Sequence, residues 1–264
     1  MKLSHVDKTF QRSNGYLFQQ WAGLPALVSA LCLAVQTTIS WASEDSFKAP
    51  TINRIAPEEL LAPLEGRGER AVIPQGIQLR SVYPRGLKTT KTAEGWVPHL
   101  YNDAAGYCTI GYGHLFKKAR CNGAERLEVG PAQTIQARHG LTEAQGSFVL
   151  ENDTATAKYT VMTAVNPHIK LTDGQFAALT DFIFNVGGQN FQRSGLLQAV
   201  NDGNFEHVPA QFRRWVLAGG KRWPGLVKRR EEEITLFFDG LPTPKELPPL
   251  PGENLSPIDI RKGE

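Results

Sequence analysis

Glu94 is followed nine residues later by Asp103, and Asp103 six residues later by Thr109. Two carboxyls and a hydroxyl are the groups that glycoside hydrolysis uses. A protonated carboxyl donates to the leaving oxygen, while an anionic carboxylate orients water or stabilises a cation-like sugar. A threonine hydroxyl can accept from that water and donate to the carboxylate. The spacing alone is common among surface residues; what sets it apart is its surroundings. Glu94 opens Glu94-Gly95-Trp96, Asp103 follows Tyr101-Asn102, and Thr109 sits in Gly106-Tyr107-Cys108-Thr109-Ile110-Gly111-Tyr112-Gly113-His114. For both carboxyls to face one cleft, Glu94 must end a helix and Asp103 must start a hairpin.

The local sequence supplies such elements. Gly106 to His114 mixes glycines with aromatic and β-branched residues, which favours short strands and tight turns. Downstream, Thr142 with Gln145 and Thr172 with Gln175 are capping-box pairs, each in front of an apolar run. Phe176, Leu179, Phe182, Ile183 and Val186 recur at helical spacing and predict a buried stripe. Ser194 is placed to cap a helix through Val200, and Asn204 another through Leu217, ended by Gly219 and Gly220. Pro224 suits the first turn of a helix reaching about Phe238. The fold class expected is α+β and predominantly helical, a small β-hairpin lobe joined to a larger helical lobe. An extended substrate would lie in the cleft between them.

Residues 87–240 are read as this catalytic domain. From Ser13 to Ser43 no residue is charged, and Leu24 to Val35 is an apolar run as long as the core of a signal peptide. Gln36, Thr37, Thr38 and Ser40 leave it short of the about 20 apolar residues a full membrane span needs. Ser40-Trp41-Ala42 offers small residues where a signal peptidase inspects the chain, so residues 1–42 are read as a signal peptide or weak signal anchor. Export to the periplasm or the extracellular space follows. Residues 43–86, with five prolines and no sustained period, are read as a linker. Residues 241–264, with six prolines, are read as a disordered tail.

Bulk charge says little: the formal net charge is +3, of which Lys2, Lys8, Arg12 and Asp7 together contribute +2. Locally, Arg213, Arg214, Lys221, Arg222, Lys228, Arg229 and Arg230 lie in a stretch without an acid, a candidate basic face for an anionic polymer. Three cysteines are too few for a disulfide scaffold; Cys108 and Cys121 are expected to pair, and Cys32 has no assigned role. Around His114 no further ligands stand at recognisable metal spacing, so a structural hydrogen bond is expected there.

With these residues in place the chain resembles glycoside hydrolase family 24, the phage-type lysozymes and endolysins, whose signature is E-x8-D-x5-T followed by I-G-x-G-H. Glu94, Asp103, Thr109, Ile110, Gly111, Gly113 and His114 fill those positions. Further matches are Gln175 to Gly187, and Arg214-Trp215-Val216 through Pro224-Gly225-Leu226-Val227 to Glu232. The resemblance implies a lysozyme-like fold and a muramidase that cleaves the β-1,4 bond between N-acetylmuramic acid and N-acetylglucosamine in peptidoglycan. Glu94 would be the general acid, and Asp103 and Thr109 would activate water, which implies inversion. Leu115, Phe184 and Ser194 would contact the glycan. The basic residue that pairs with the catalytic glutamate does not align cleanly, because Leu226 falls near it; Arg229 stands as a substitute outside the catalytic set. A monomer is implied, with glycan strands as partner, transient contact with the cytoplasmic membrane, no nucleic acid, no cofactor and no metal. The competing readings are a lytic transglycosylase and a non-catalytic peptidoglycan-binding module.

Overall fold

Thr142 and Thr172 each open a helix by the same device. In the computed structural model, which describes residues 47–50, 71–245, 247–249 and 251–264, each threonine oxygen accepts from the amide three residues on. The glutamine there reaches back to the threonine's own N–H. Two of the N–H groups that a helix start leaves without partners are satisfied in this way. Along the chain come α1 (Pro84–Glu94), β1 (Val97–Asn102), β2 (Cys108–Gly111), β3 (His114–Lys117), β4 (Arg126–Gly130) and β5 (Gln133–Gln136). The helices α2 (Glu143–Asp153), α3 (Ala155–Ala164), α4 (Asp173–Val186), α5 (Gly188–Gln192), α6 (Gly195–Asn201) and α7 (Val208–Arg213) follow. Two short strands, β6 (Leu217–Ala218) and β7 (Lys221–Arg222), precede the last helix, α8 (Pro224–Phe237).

The described residues build two cores. In the smaller lobe β1, β2 and β3 form an antiparallel meander, and β4 pairs with β5 in a separate hairpin. Leu100, Ile110, Leu127, Val129, Leu141 and Val149 close over one another there, with Trp96 against them. The larger lobe is helical and is organised on α4, where every residue of the expected stripe is buried. Phe182 meets Phe212 and Trp215 edge-on, each with ring centroids 5.4 Å apart. Burying side chains of this size stabilises the fold by roughly 1.5–3 kcal/mol each. Gly86 sets the approach of α1 to α4, because a Cβ on it would run into the Cβ of Ala177. The absence of a side chain at one position therefore fixes where α1, and Glu94 at its end, stand against the helical lobe.

Three expectations need correction. Asn204 caps nothing with its side chain. The helix through Leu217 gives way to a 3-10 turn (Phe205–His207), a short α7 with Pro209 in its first turn, and the β6–β7 hairpin, whose turn is Gly219-Gly220 at φ 62° and 76°. The apparent basic face does not form. Arg214, Arg229 and Arg230 are buried, and Arg213 forks onto Glu231 at 2.8 and 3.0 Å, which leaves Lys221, Arg222 and Lys228 exposed. The disordered tail is corrected at its end: Ile258 and Ile260 are buried, their backbones bond to Arg214 and Leu217, and Glu264 pairs with Arg214. Mean composition hid the alternation Ile258-Asp259-Ile260, which suffices to dock one short extended segment beside β6.

Of the linker, Phe47 to Pro50 packs on the β lobe, with Ala49 buried and the Pro50 carbonyl accepting from Asn102 N–H at 3.3 Å. The apolar run, Cys32 and the Ser40 to Ala42 site lie outside the described residues. Among the described residues no helix is long and apolar enough to cross a membrane.

Candidate active site

Glu94 is the last residue of α1, and Gly95 takes φ 71° to turn the chain out of the helix while its N–H still bonds to Lys91. That reversal points the chain into β1 and leaves the Glu94 side chain buried at the helix end. Arg229 of α8 meets it there, Nη1 donating to Glu94 Oε1 at 2.9 Å. The same guanidinium forks onto Asp181 of α4, with Nε and Nη2 each 2.9 Å from a carboxylate oxygen. Burial alone pushes the Asp181 carboxyl up, but the Arg229 charge and its two hydrogen bonds more than offset this and hold it below the usual carboxylate range. Glu233 behaves in the opposite way: burial pushes its carboxyl up despite the neighbouring Arg230.

Asp103 stands directly after β1. Its Oδ1 accepts from the amides of Ala105 and Tyr107 at 2.9 and 2.8 Å, the side-chain turn that aspartate makes when it opens a tight loop. Its backbone closes the same loop on both sides, accepting from Gly106 at 2.8 Å and donating to Tyr107 at 2.9 Å. Both amides bond to Oδ1, and Oδ2 stands outside this turn. Thr109, on β2, is buried. Its hydroxyl donates to the Tyr107 carbonyl at 3.2 Å rather than to Asp103, which corrects the direct bond expected from sequence. Both residues are thus held to Tyr107, one by its amide and one by its carbonyl.

Thr109 pairs with Leu115 across β2 and β3. Beside this pair lies a cleft of about 450 Å³ between the lobes, whose lining does not include Glu94, Asp103 or Thr109. Leu115 and His114 line it from the β lobe, Phe184 and Gly187 from the end of α4, and Ala71 and Ile73 from the segment before α1. Of the three residues predicted to contact the glycan, two therefore share this cleft. Ser194 does not: its hydroxyl caps α6, accepting from Leu197 N–H at 3.1 Å and donating to Phe191 O at 2.7 Å, and the residue is buried. His114 makes the expected hydrogen bond, Nδ1 lying 2.9 Å from Asp153 Oδ2.

Cys108 and Cys121 form a disulfide that closes β2, β3 and the loop beyond them. Glu125 lies beside the pair, but the two sulfurs are spent on each other and offer no thiolate to a metal. A loop of this size adds roughly 3 kcal/mol by restricting the unfolded chain. Reducing the bond should lower the unfolding free energy by about that amount, read from urea unfolding with and without reductant. Two free thiols in the purified, unreduced protein by mass spectrometry would refute the pairing.

Sequence reasoning named Arg229 as the substitute basic residue for Glu94 but missed Asp181 and Glu233, which meet the same guanidinium. Leu226 is core, fully buried, and Arg229 one turn further along α8 takes the basic role. Helical phase was the available signal: Leu226, Arg229, Arg230 and Glu233 recur at spacings of three and four, the inward face of α8.

A family model described as phage lysozyme matches residues 91–233, more than half of the chain. The chain belongs to the phage lysozyme family. That family membership makes it a peptidoglycan-lytic hydrolase. Among curated relatives, the SAR-endolysin of Bacteriophage PS119 is 34% identical over 165 residues, covering 62% of this chain and 87% of that protein. The endolysin of Bacillus phage B103 is 35% identical over 159 residues, covering 59% of this chain and 53% of its own. Similar solved structures include the muramidase domain of SpmX from Asticaccaulis excentricus, at 28% identity and a TM-score of 0.49 over 60% of this chain and 97% of that one. A P22 lysozyme mutant is at 25% identity and a TM-score of 0.49, over 60% of this chain and 99% of that one.

Proposed function

We propose that this protein is an inverting endo-N-acetylmuramidase that cleaves the β-1,4 bond between N-acetylmuramic acid and N-acetylglucosamine. Glu94 passes its proton to the glycosidic oxygen as that bond breaks. Water attacks the opposite face of the sugar ring and gives up its proton to Asp103, with Thr109 holding the water in line. One water is consumed, and solvent returns the proton from Asp103 to Glu94.

The observation that carries this reading is the unlike setting of the two carboxyls on consecutive elements. Glu94 is buried at a helix end against the helical lobe. Asp103 is fixed by two amides through one oxygen, and the other takes no part in that turn. Leu115 and Phe184, on opposite sides of the cleft, would grip the glycan.

Digestion of purified peptidoglycan tests the proposal. New reducing ends, first formed as the α anomer by proton NMR, are expected. Anhydro-sugar ends would make the enzyme a lytic transglycosylase, and binding without lysis would leave only a wall-binding module.

Peptidoglycan lies outside the cytoplasmic membrane, so the proposal includes export of a monomer by way of the Leu24 to Val35 run. That relatives are named SAR-endolysins supports it. Sequencing the N-terminus of the extracytoplasmic protein checks the route. A start at Ser43 is expected, whereas an intact Met1 in the soluble fraction would mean release of the whole chain.

A further inference from the structure

The cluster behind Glu94 holds more charge than the proposed reaction uses. Arg229 gives Glu94 a single hydrogen bond, but it gives Asp181 a fork of two, with a third from Nη2 to the Asp181 carbonyl at 3.4 Å. The guanidinium therefore ties together three helices, α1, α4 and α8. Asp181 is fully buried, so it has no route to the substrate.

A guanidinium whose charge fell on Glu94 alone would stabilise the Glu94 anion. A carboxyl beside an uncompensated Arg is held about 1–3 pH units below its ordinary value, and a general acid in that state has lost its proton at working pH. Two-pronged pairing with a second carboxylate removes most of that pull. We propose that Asp181 is a positioning residue for the reaction, acting through Arg229 to neutralise the guanidinium and so keep the Glu94 proton available for donation. This rests on the reading of Glu94 as the acid.

The helices packed against α1 are α4 and α8. From α4 the charged group in the cluster is Asp181; from α8 they are Arg229, Arg230 and Glu233, with Glu232 acting on Arg229 through its charge alone. Glu233 lies 3.7 Å from Arg229 Nε and is paired chiefly with Arg230, at 2.9 Å. α1 itself contributes Lys91, whose ammonium lies over the Tyr112 ring. Asp103, the other acid of the site, is bound to the amides of its own loop. Among these, Asp181 is the carboxylate that stays ionised against Arg229, since Glu233 is pushed the other way by burial.

The test is the pH profile of kcat/KM on purified peptidoglycan for the full chain. Its alkaline limb reports the group that must be protonated. In Asp181→Asn the limb should move down by about one pH unit or more, because Arg229 then acts on Glu94 uncompensated. In Arg229→Gln it should move up. The double variant Asp181→Asn/Arg229→Gln should match Arg229→Gln, because Asp181 then has no guanidinium left to act through. A structural role alone would lower activity without moving the limb. An unmoved limb in Asp181→Asn, or a double variant whose limb departs from that of Arg229→Gln, overturns the inference. Should Asp181→Asn not fold, Asp181→Ser, which also removes the charge, takes its place in the same comparison. Activity persisting in Glu94→Gln would instead overturn the assignment of the acid.

Discussion

Glu94→Gln is expected to abolish lysis of purified peptidoglycan while the protein stays folded. The amide keeps the carbonyl oxygen that accepts from Arg229 Nη1, so the ends of α1 and α8 remain tied together. What disappears is the acidic proton. General acid catalysis contributes about 10²- to 10⁴-fold, which raises the barrier by roughly 3–5 kcal/mol. Turbidity loss, followed beside a thermal unfolding curve, measures both halves. More than a few per cent of wild-type rate in a protein of unchanged stability refutes the assignment. Glu94→Ala is the poorer probe, because it also removes one of the partners that Arg229 has in a buried site.

Asp103→Asn should reduce kcat by about 10²-fold or more while leaving stability within about 1 kcal/mol of wild type. The reason lies in how Asp103 is held. Asparagine retains an oxygen for the Ala105 and Tyr107 amides, so the loop between β1 and β2 keeps its shape. The second position becomes an NH2, which donates where a carboxylate would accept the proton of the attacking water. Asp103→Ala should show the same loss of rate together with lower stability, since the loop then loses both hydrogen bonds. Equal rates for Asp103→Asn and wild type, measured as new reducing ends, would remove Asp103 from the mechanism.

Much of this molecule was legible from its residues. The two capping boxes, the stripe on α4, the helix that begins at Pro224 and the Gly-rich hairpins are written in local patterns, and each formed where those patterns stand. Helix starts and stripes are set by neighbours three or four residues away, which a sequence displays directly. The Glu94, Asp103 and Thr109 motif belongs to the same class, because one helix end and one hairpin carry all three. Composition misled where averages stood in for positions. Six prolines concealed Ile258 and Ile260, and seven cations in an acid-free stretch suggested a face that folding divided between core and solvent. Only the tertiary structure joined residues 94, 181, 229 and 233, which lie on three separate helices. Only the tertiary structure, too, turned Ser194 into a cap and committed the Thr109 hydroxyl to Tyr107. Pairings of this kind depend on helix packing, here on the contact that Gly86 permits between α1 and α4. A buried charge takes whichever partner that packing brings within hydrogen-bond reach, and sequence separation carries no record of it.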